Sequence, residues 1–150
     1  MLQRTFIRSG DVNSAPPIDG ESKRDKAMED VQQRCTAIKQ LLAAKPVPFG
    51  EAEPPAKPGI YLMTYEGEPC YIGMAKGRFG LRDRLMRAHL HGEDGHVLHR
   101  ELGAAFPDKA QRVARIKEAV SIQWIEAAAS DVANLERALI NLIDPAWNRH

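Results

Sequence analysis

Hydrophobic and polar residues alternate twice in the middle of the chain, over residues 59–65 and again over residues 70–73. Both alternating sets of the first segment contain apolar side chains, so we expect a strand that is covered on both faces. Residues 66–69 (Glu-Gly-Glu-Pro) supply a turn, because Gly tolerates positive φ and Pro interrupts strand pairing. The pattern predicts an antiparallel hairpin in which Tyr61 and Tyr71 lie on neighbouring strands and can come close together.

Apolar residues at helical spacing follow the hairpin. Leu81 and Leu85 indicate a helix that ends near His91, and two shorter helices follow it before a third strand over residues 120–126, which is rich in β-formers. The last helix starts at a cap, Ser130 or Asp131, and ends at Ile143. The order β-β-α-α-α-β-α predicts an α+β fold, with a small three-stranded antiparallel sheet flanked by helices.

The first third of the chain has a different pattern. Residues 1–20 are polar and contain two adjacent prolines, which predicts a tail, whereas residues 21–45 predict an amphipathic helix. We favour burial of its apolar stripe against the domain that follows, over contact with a second protomer or a targeting partner. Residues 46–56 predict a Pro-rich extended linker, and residues 57–150 the main domain. The stripe consists of Met28, Val31, Cys35, Ile38 and Leu42.

Composition adds limited information for 150 residues with a net charge of +1. Cys35 and Cys70 are far apart and form no paired motif, and Cys70 in a strand is expected to be a buried thiol. No secretory signal and no apolar run of the ~20 residues needed to cross a membrane is visible, so we expect a cytoplasmic protein without a membrane partner. Positive charge is concentrated locally, because five cations and one anion lie between residues 76 and 87. Such a patch attracts phosphate. The alternative is an ordinary solvated helix face.

Four short strings follow one another over residues 58–149. They are Gly-Ile-Tyr at 59–61, Tyr-Ile-Gly at 71–73, an arginine helix at 80–85, and a glutamate helix at 135–140 that precedes Pro-Ala-Trp-Asn at 145–148. Together they resemble the GIY-YIG nuclease family. The resemblance implies a metal-dependent DNA endonuclease that hydrolyses phosphodiester bonds with Mg²⁺ or Mn²⁺. The alternative is a catalytically weak or inactive module of this fold that binds DNA or protein.

The resemblance also implies roles for four catalytic residues. Tyr61 would orient and deprotonate a water molecule, although a free phenol with a pKa near ~10 is a poor base unless a metal and cations lower that value. Tyr71 would hold Tyr61 or the water in place. Arg84 would engage two phosphate oxygens with its planar guanidinium, and Glu136 would be the metal ligand, since Mg²⁺ keeps much of its hydration shell.

Other residues near these motifs are expected to bind substrate, and two positions depart from the family pattern. Met74 stands where some family branches have a lysine, which Lys76 would replace. Ala88 stands one α-helical turn after Arg84, where related enzymes often have His or Tyr, so His89 takes part only if the helix is locally adjusted. The expected substrate-binding residues are Gly73, Lys76, Arg82, Arg87, His89 and Asn148, of which Asn148 has the alternative role of tying the C-terminal segment to the sheet.

Overall fold

A four-stranded antiparallel sheet lies at the centre of the fold. In the computed structural model, which describes residues 19–92 and 95–149, the strands are β1 (Val47–Pro48), β2 (Gly59–Tyr65), β3 (Glu68–Ala75) and β4 (Val120–Glu126). Their spatial order is β1-β4-β2-β3, and every neighbouring pair is antiparallel. The three predicted strands are confirmed, and the sheet has a fourth strand that the three-stranded prediction did not include.

Five α-helices are described in addition to the sheet. Their order confirms the predicted α+β class and the predicted sequence of elements from the hairpin onward. The helix that follows the hairpin begins as α-helix and continues as a π-helix over Asp83–Leu90. Short 3₁₀ turns cover Phe49–Glu51 and Ala146–Asn148. The helices are α1 (Asp19–Ala43), α2 (Gly80–Arg82), α3 (Val97–Leu102), α4 (Lys109–Ala119) and α5 (Val132–Ile143).

The chain divides into two units, residues 1–32 and residues 33–150. The first half of α1 belongs to the first unit, and the second half belongs to the second. The predicted tail lies almost entirely outside the described residues. None of the helices in the described ranges combines the length and the apolar character needed to cross a membrane.

A two-residue turn joins β2 to β3. Glu66 (φ 52°) and Gly67 (φ 84°) are both left-handed, which is the turn geometry that matches the twist of a hairpin. The prediction that Pro69 interrupts pairing is wrong, because Pro69 pairs with Thr64 inside β3. The register shifts at this point and leaves Cys70 as the extra residue of a β-bulge. A proline is tolerated there because β3 is an edge strand and bulges release ladder hydrogen bonds.

The segment predicted as a linker is part of the fold. Val47 pairs with Ile122 of β4, and Phe49 is buried in the core at 1% exposure. The backbone carbonyls of Pro55 and Lys57 accept hydrogen bonds from the first turn of the helix that follows the hairpin. The prediction failed because proline-rich sequences favour extended backbone, and an extended backbone serves equally well as an edge strand.

Apolar side chains cover both faces of the sheet, as the alternation in β2 predicts. On one face Tyr61 and Met63 pack with residues of the helix after the hairpin and of α4. On the other face Ile60 packs with α5 and with the end of α1. Successive residues of β2 therefore belong to two different hydrophobic clusters, and Tyr61 points to the same side as the helix that carries Arg84.

The end of α1 packs on the sheet through a different face from the one that the stripe predicts. Leu41 is fully buried, whereas Leu42 is 45% exposed. Gln123 on β4 donates from Nε2 to the carbonyls of Leu41 (3.0 Å) and Ala44 (2.8 Å), which satisfies backbone acceptors that every helix C-terminus leaves free. These bonds hold the helix in a rotation that turns Leu41 inward, with Ala37 and Ile38 partly buried beside it. Within the second unit, the stripe residues Cys35 and Leu42 are exposed, so this part of the stripe is not covered as predicted.

Candidate active site

Tyr61 and His89 form a buried hydrogen bond at the centre of the candidate site. Tyr61 is fully buried, His89 is 1% exposed, and the Oη–Nε2 distance is 2.6 Å. Gly73 pairs with Tyr61 across the hairpin, and a Cβ atom on Gly73 would lie 2.2 Å from the Tyr61 hydroxyl. The glycine of the Tyr-Ile-Gly string therefore makes room for the phenol, which is the role that the structure assigns to Gly73.

Burial determines the protonation of this pair. It raises the pKa of the Tyr61 phenol well above its ordinary value, and Tyr71 acts in the same direction, while Arg84 opposes them. Burial also lowers the pKa of His89 to about 3, and the nearby positive charge of Arg84 adds to this. The 2.6 Å hydrogen bond therefore joins a neutral phenol and a neutral imidazole. The second nitrogen of that imidazole, Nδ1, is buried without a hydrogen-bond partner among residues 19–92 and 95–149.

The π-helix explains how His89 reaches the site. In an α-helix the residue four positions after Arg84 would share its face, and that residue is Ala88. Over Asp83–Leu90 the chain forms i→i+5 hydrogen bonds instead, so that residues five apart lie above one another. Of the two alternatives left by the sequence, the local adjustment of the helix is the one observed, and it brings Arg84 and His89 to the same side.

Arg84 connects the two tyrosines to the adjacent surface. Its positive charge acts on both phenols and lowers the pKa values of Tyr61 and Tyr71, against the effect of burial. The ring centroids of the tyrosines are 6.3 Å apart, which confirms that they approach each other as the hairpin predicts, and Tyr71 lies 5.7 Å from His89. Partial burial raises the pKa of Tyr71, and the charge of Arg84 opposes that rise. The two phenols and the imidazole thus form one cluster with a single guanidinium.

Arg84 also lines an open cleft of about 410 Å³, which we call the Glu136 cleft. Leu135 and Leu139 of α5 are buried, so Glu136 lies at the edge of the core, as expected for a ligand at a cleft. Partial burial raises the pKa of Glu136, while Arg84 and Lys76 lower it. The cleft is lined by Met74, Ala75, Lys76, Gly77, Arg78, Phe79, Gly80, Asp83, Arg84 and Glu136.

The donor set of the cleft fits a hydrated Mg²⁺ or Mn²⁺ ion. Glu136 provides one carboxylate, and among the described residues it forms no ion pair. The Asp83 carboxylate, in contrast, accepts two hydrogen bonds from Arg87, from Nε at 2.5 Å and from Nη2 at 3.0 Å. Within the described ranges, no three His, Cys, Asp or Glu side chains gather as they would around a closed metal cage. Mg²⁺ keeps several water ligands and commonly binds through one or two carboxylates together with phosphate oxygens. An open cleft with Glu136 at its edge matches that chemistry.

Three residues expected to bind substrate make hydrogen bonds within the fold. Arg82 donates from Nε to the Pro54 carbonyl at 3.3 Å, and Arg87 forms the two bonds to Asp83. Asn148 accepts from the Ile72 amide at 2.7 Å and donates to the Ile72 carbonyl at 2.8 Å. Of the two roles predicted for Asn148, the structure shows the tie between the C-terminal segment and the sheet.

A second buried network, which sequence reasoning missed, supports the end of the π-helix. His99 is 1% exposed, and its Nε2 donates to the carbonyl of Leu90, the last residue of that helix, at 3.0 Å. Arg112 donates from Nε to the Nδ1 of His99 at 3.1 Å and also bonds the Phe106 carbonyl. The available signal was a histidine and an arginine at apolar-face positions of α3 and α4, where a polar side chain needs a buried partner.

No protein-family model matches the chain, and no curated protein is similar enough to it to count as a match.

Proposed function

We propose that the protein is a metal-dependent DNA endonuclease of the GIY-YIG type. The observation that carries this proposal is the meeting of Tyr61, Tyr71, Arg84 and His89 in one cluster that borders the Glu136 cleft. Together with Glu136 these side chains come from β2, β3, the π-helix and α5, so packing of the core alone does not require them to converge. A phenol and an imidazole can transfer protons in phosphodiester hydrolysis, and a guanidinium and a metal-binding carboxylate can stabilise its developing charge.

The chain's own residues would provide the proton path. As a water oxygen attacks phosphorus, its proton passes to Tyr61 Oη while the phenol proton passes to Nε2 of His89, so no free phenolate is needed. The positive charge of Arg84 helps to hold the pKa of His89 low. A phosphate bound by Arg84 would offset that charge and raise the proton affinity of the imidazole when the substrate is in place.

Arg84 and Lys76 would bind the phosphate itself. The planar guanidinium can contact two phosphate oxygens at once, and Lys76 adds a positive charge from the rim of the cleft. Glu136 would hold the Mg²⁺ or Mn²⁺ ion, which when bound supplies charge stabilisation for the phosphate and the leaving oxygen. Arg84 lines the cleft and its charge acts on both phenols, so a phosphate bound by Arg84 would lie beside the proton path.

Glu136→Gln tests this proposal in a plasmid-nicking assay with Mg²⁺. The substitution keeps the size of the side chain but removes the charge that holds the ion, so we expect nicking to fall by at least about 100-fold. DNA binding should be unchanged or tighter, because an anion that repels phosphate is lost. The matched control is Glu118→Gln on α4. It makes the same chemical change at an exposed residue that does not line the cleft.

The outcomes distinguish the proposal from the binding-module alternative. Loss of nicking in Glu136→Gln but not in Glu118→Gln supports the proposed site. Retained nicking in Glu136→Gln contradicts the metal-ligand role. Wild-type protein that binds DNA without cutting it under Mg²⁺ or Mn²⁺ indicates a binding module.

The sequence-based expectations of a cytoplasmic location and of a dimer or targeting partner at the N-terminal helix stay predictions. For the partner, the supporting observation is the exposure of Met28 (61%) and Val31 (51%).

A further inference from the structure

Phe79 is an exposed aromatic residue at the wall of the Glu136 cleft. Its exposure is 60%, and the guanidinium of Arg78 lies 5.5 Å from the ring centroid. Neither the core nor the proposed reaction uses this ring. An aromatic ring that flanks a phosphate-binding cleft is suited to stacking on a nucleobase, because every base presents a π-face whatever its sequence.

The backbone holds Phe79 in a defined position. Gly80, the next residue, has a φ of 52°, and a Cβ atom there would lie 2.2 Å from the Lys57 carbonyl oxygen, so the chain packs closely against that segment. The Leu81 amide donates to the same carbonyl at 2.9 Å, and the Arg82 amide donates to Pro55 at 3.0 Å. The backbone next to Phe79 is therefore held in place by these hydrogen bonds, which reduces the conformational entropy lost when a ligand stacks on the ring.

A second cavity is also lined by Phe79. This Phe79 pocket has a volume of about 260 Å³ and shares Phe79 and Asp83 with the Glu136 cleft. This volume lies just below the ~300 Å³ at which small-molecule sites usually begin, so we expect the pocket to hold one base-sized group and no larger ligand. Its lining combines apolar side chains with the Asp83–Arg87 pair. The lining residues are Ala56, Phe79, Arg82, Asp83, Met86 and Arg87.

We propose that the Phe79 pocket binds an unpaired nucleobase of the DNA whose phosphate occupies the Glu136 cleft. The inference rests on the proposed function, and what carries it is that Phe79 and Asp83 line both cavities. Phe79 stacks on the base, Met86 and Ala56 cover it, and the Asp83–Arg87 pair faces its polar edge. Arg82 and Arg87 line the pocket, and Arg78 lies 5.5 Å from the Phe79 ring centroid, so positive charge is available to the negatively charged strand.

This arrangement implies a preference for DNA with an accessible base. A base inside a duplex is stacked and paired, and taking it out requires free energy, whereas a base at a nick, an overhang or an abasic site is already available. We therefore expect such substrates to bind more tightly than intact duplex.

The experiment measures stacking separately from cleavage. The probe is DNA with 2-aminopurine beside an abasic site, mixed with full-length Glu136→Gln protein so that no strand is cut. Stacking on Phe79 should quench the fluorescence, and adding Phe79→Ala should abolish the quenching and weaken binding about 5- to 100-fold. Phe79→Tyr keeps a ring and should restore both. The control is Leu142→Ala, which removes an exposed apolar side chain of α5 (64% exposed) outside both cavities.

Each outcome decides between the two proposals. Quenching and binding that do not change in Phe79→Ala overturn the base pocket, whether or not the wild type nicks plasmid. Phe79-dependent quenching by a protein that fails to nick supports the pocket and counts against the nuclease. Equal affinity for intact duplex and for the abasic probe also overturns the inference. Thermal unfolding of Phe79→Ala should match the wild type because the ring is exposed, and this excludes misfolding as the cause.

Discussion

At the scale of single residues, the candidate site depends on Gly73 having no side chain. The hydroxyl end of Tyr61 occupies the space that a Cβ at position 73 would fill, and this lets the phenol reach His89 inside the core. Any larger residue at this position must displace Tyr61. The two strings that contain these residues are therefore linked sterically: the glycine of the second string accommodates the tyrosine of the first.

Gly73→Ala tests this link. A Cβ would lie 2.2 Å from Oη and 2.4 Å from Cζ of Tyr61, so the ring must shift and the 2.6 Å bond to His89 must break. We expect a loss of about 1–3 kcal/mol in the free energy of unfolding, as for other overpacked cores, together with loss of nicking. Urea denaturation and the plasmid assay provide the two measurements.

Gly95→Ala is the control for this substitution, because a Cβ at Gly95 meets no atom within 4 Å. Its stability should stay within about 0.5 kcal/mol of the wild type. Equal stability of the Gly73→Ala and Gly95→Ala variants would contradict the steric role.

Sequence reasoning identified the site residues better than their contacts. Tyr61, Tyr71, Arg84 and Glu136 were selected from short strings, and the structure brings them together around one cluster and cleft. Whether His89 takes part stayed open, because a helix periodicity of 3.6 does not place residues i and i+5 on one face, and sequence patterns carry no direct signal for a π-helix.

At the scale of elements, strands were predicted well where both faces of the sheet are covered. Alternation over residues 59–65 and 120–126 located β2 and β4, because period-2 patterns are strong when side chains on both faces are constrained. The two-residue β1 was missed, since a strand this short has no periodicity. The rotation of α1 was also mispredicted: the most regular apolar stripe is not the buried one, because hydrogen bonds from Gln123 rather than apolar content position the end of the helix.

Leu41 and Leu42 provide a matched test of that rotation. They are adjacent and chemically identical, yet Leu41 is fully buried and Leu42 is 45% exposed. We expect Leu41→Ala to reduce the free energy of unfolding by about 2–5 kcal/mol, because it leaves a cavity beside Ile60 and Leu139. Leu42→Ala should change it by less than about 1 kcal/mol. Urea denaturation of both variants is the measurement, and a larger effect of Leu42→Ala would show that the helix is rotated the other way.

At the scale of the whole molecule, buried neutral histidines couple the fold to pH. Burial lowers the pKa values of both His89 and His99; Arg84 also lowers that of His89, and Arg112 that of His99. In the unfolded chain an ordinary histidine has a pKa near ~6.5. The unfolded state therefore binds more protons than the native state below that pH, so the two histidines contribute full stability above pH ~6.5 and lose it as the pH falls toward the native values.

The pH dependence of His89→Gln tests this coupling. With a native pKa of about 3, His89 alone should lower the free energy of unfolding by about 2 kcal/mol between pH 8 and pH 5. Other groups also titrate in this range, so the informative quantity is the difference between wild type and variant.

The His89→Gln variant is expected to be less stable at pH 8, since it lacks the imidazole bonded to Tyr61. On acidification, its free energy of unfolding should fall by about 2 kcal/mol less than that of the wild type. Urea denaturation at the two pH values measures both losses. Equal losses in the two proteins would mean that His89 is not held neutral in the native state, and the proton path from Tyr61 to its Nε2 would lose its acceptor.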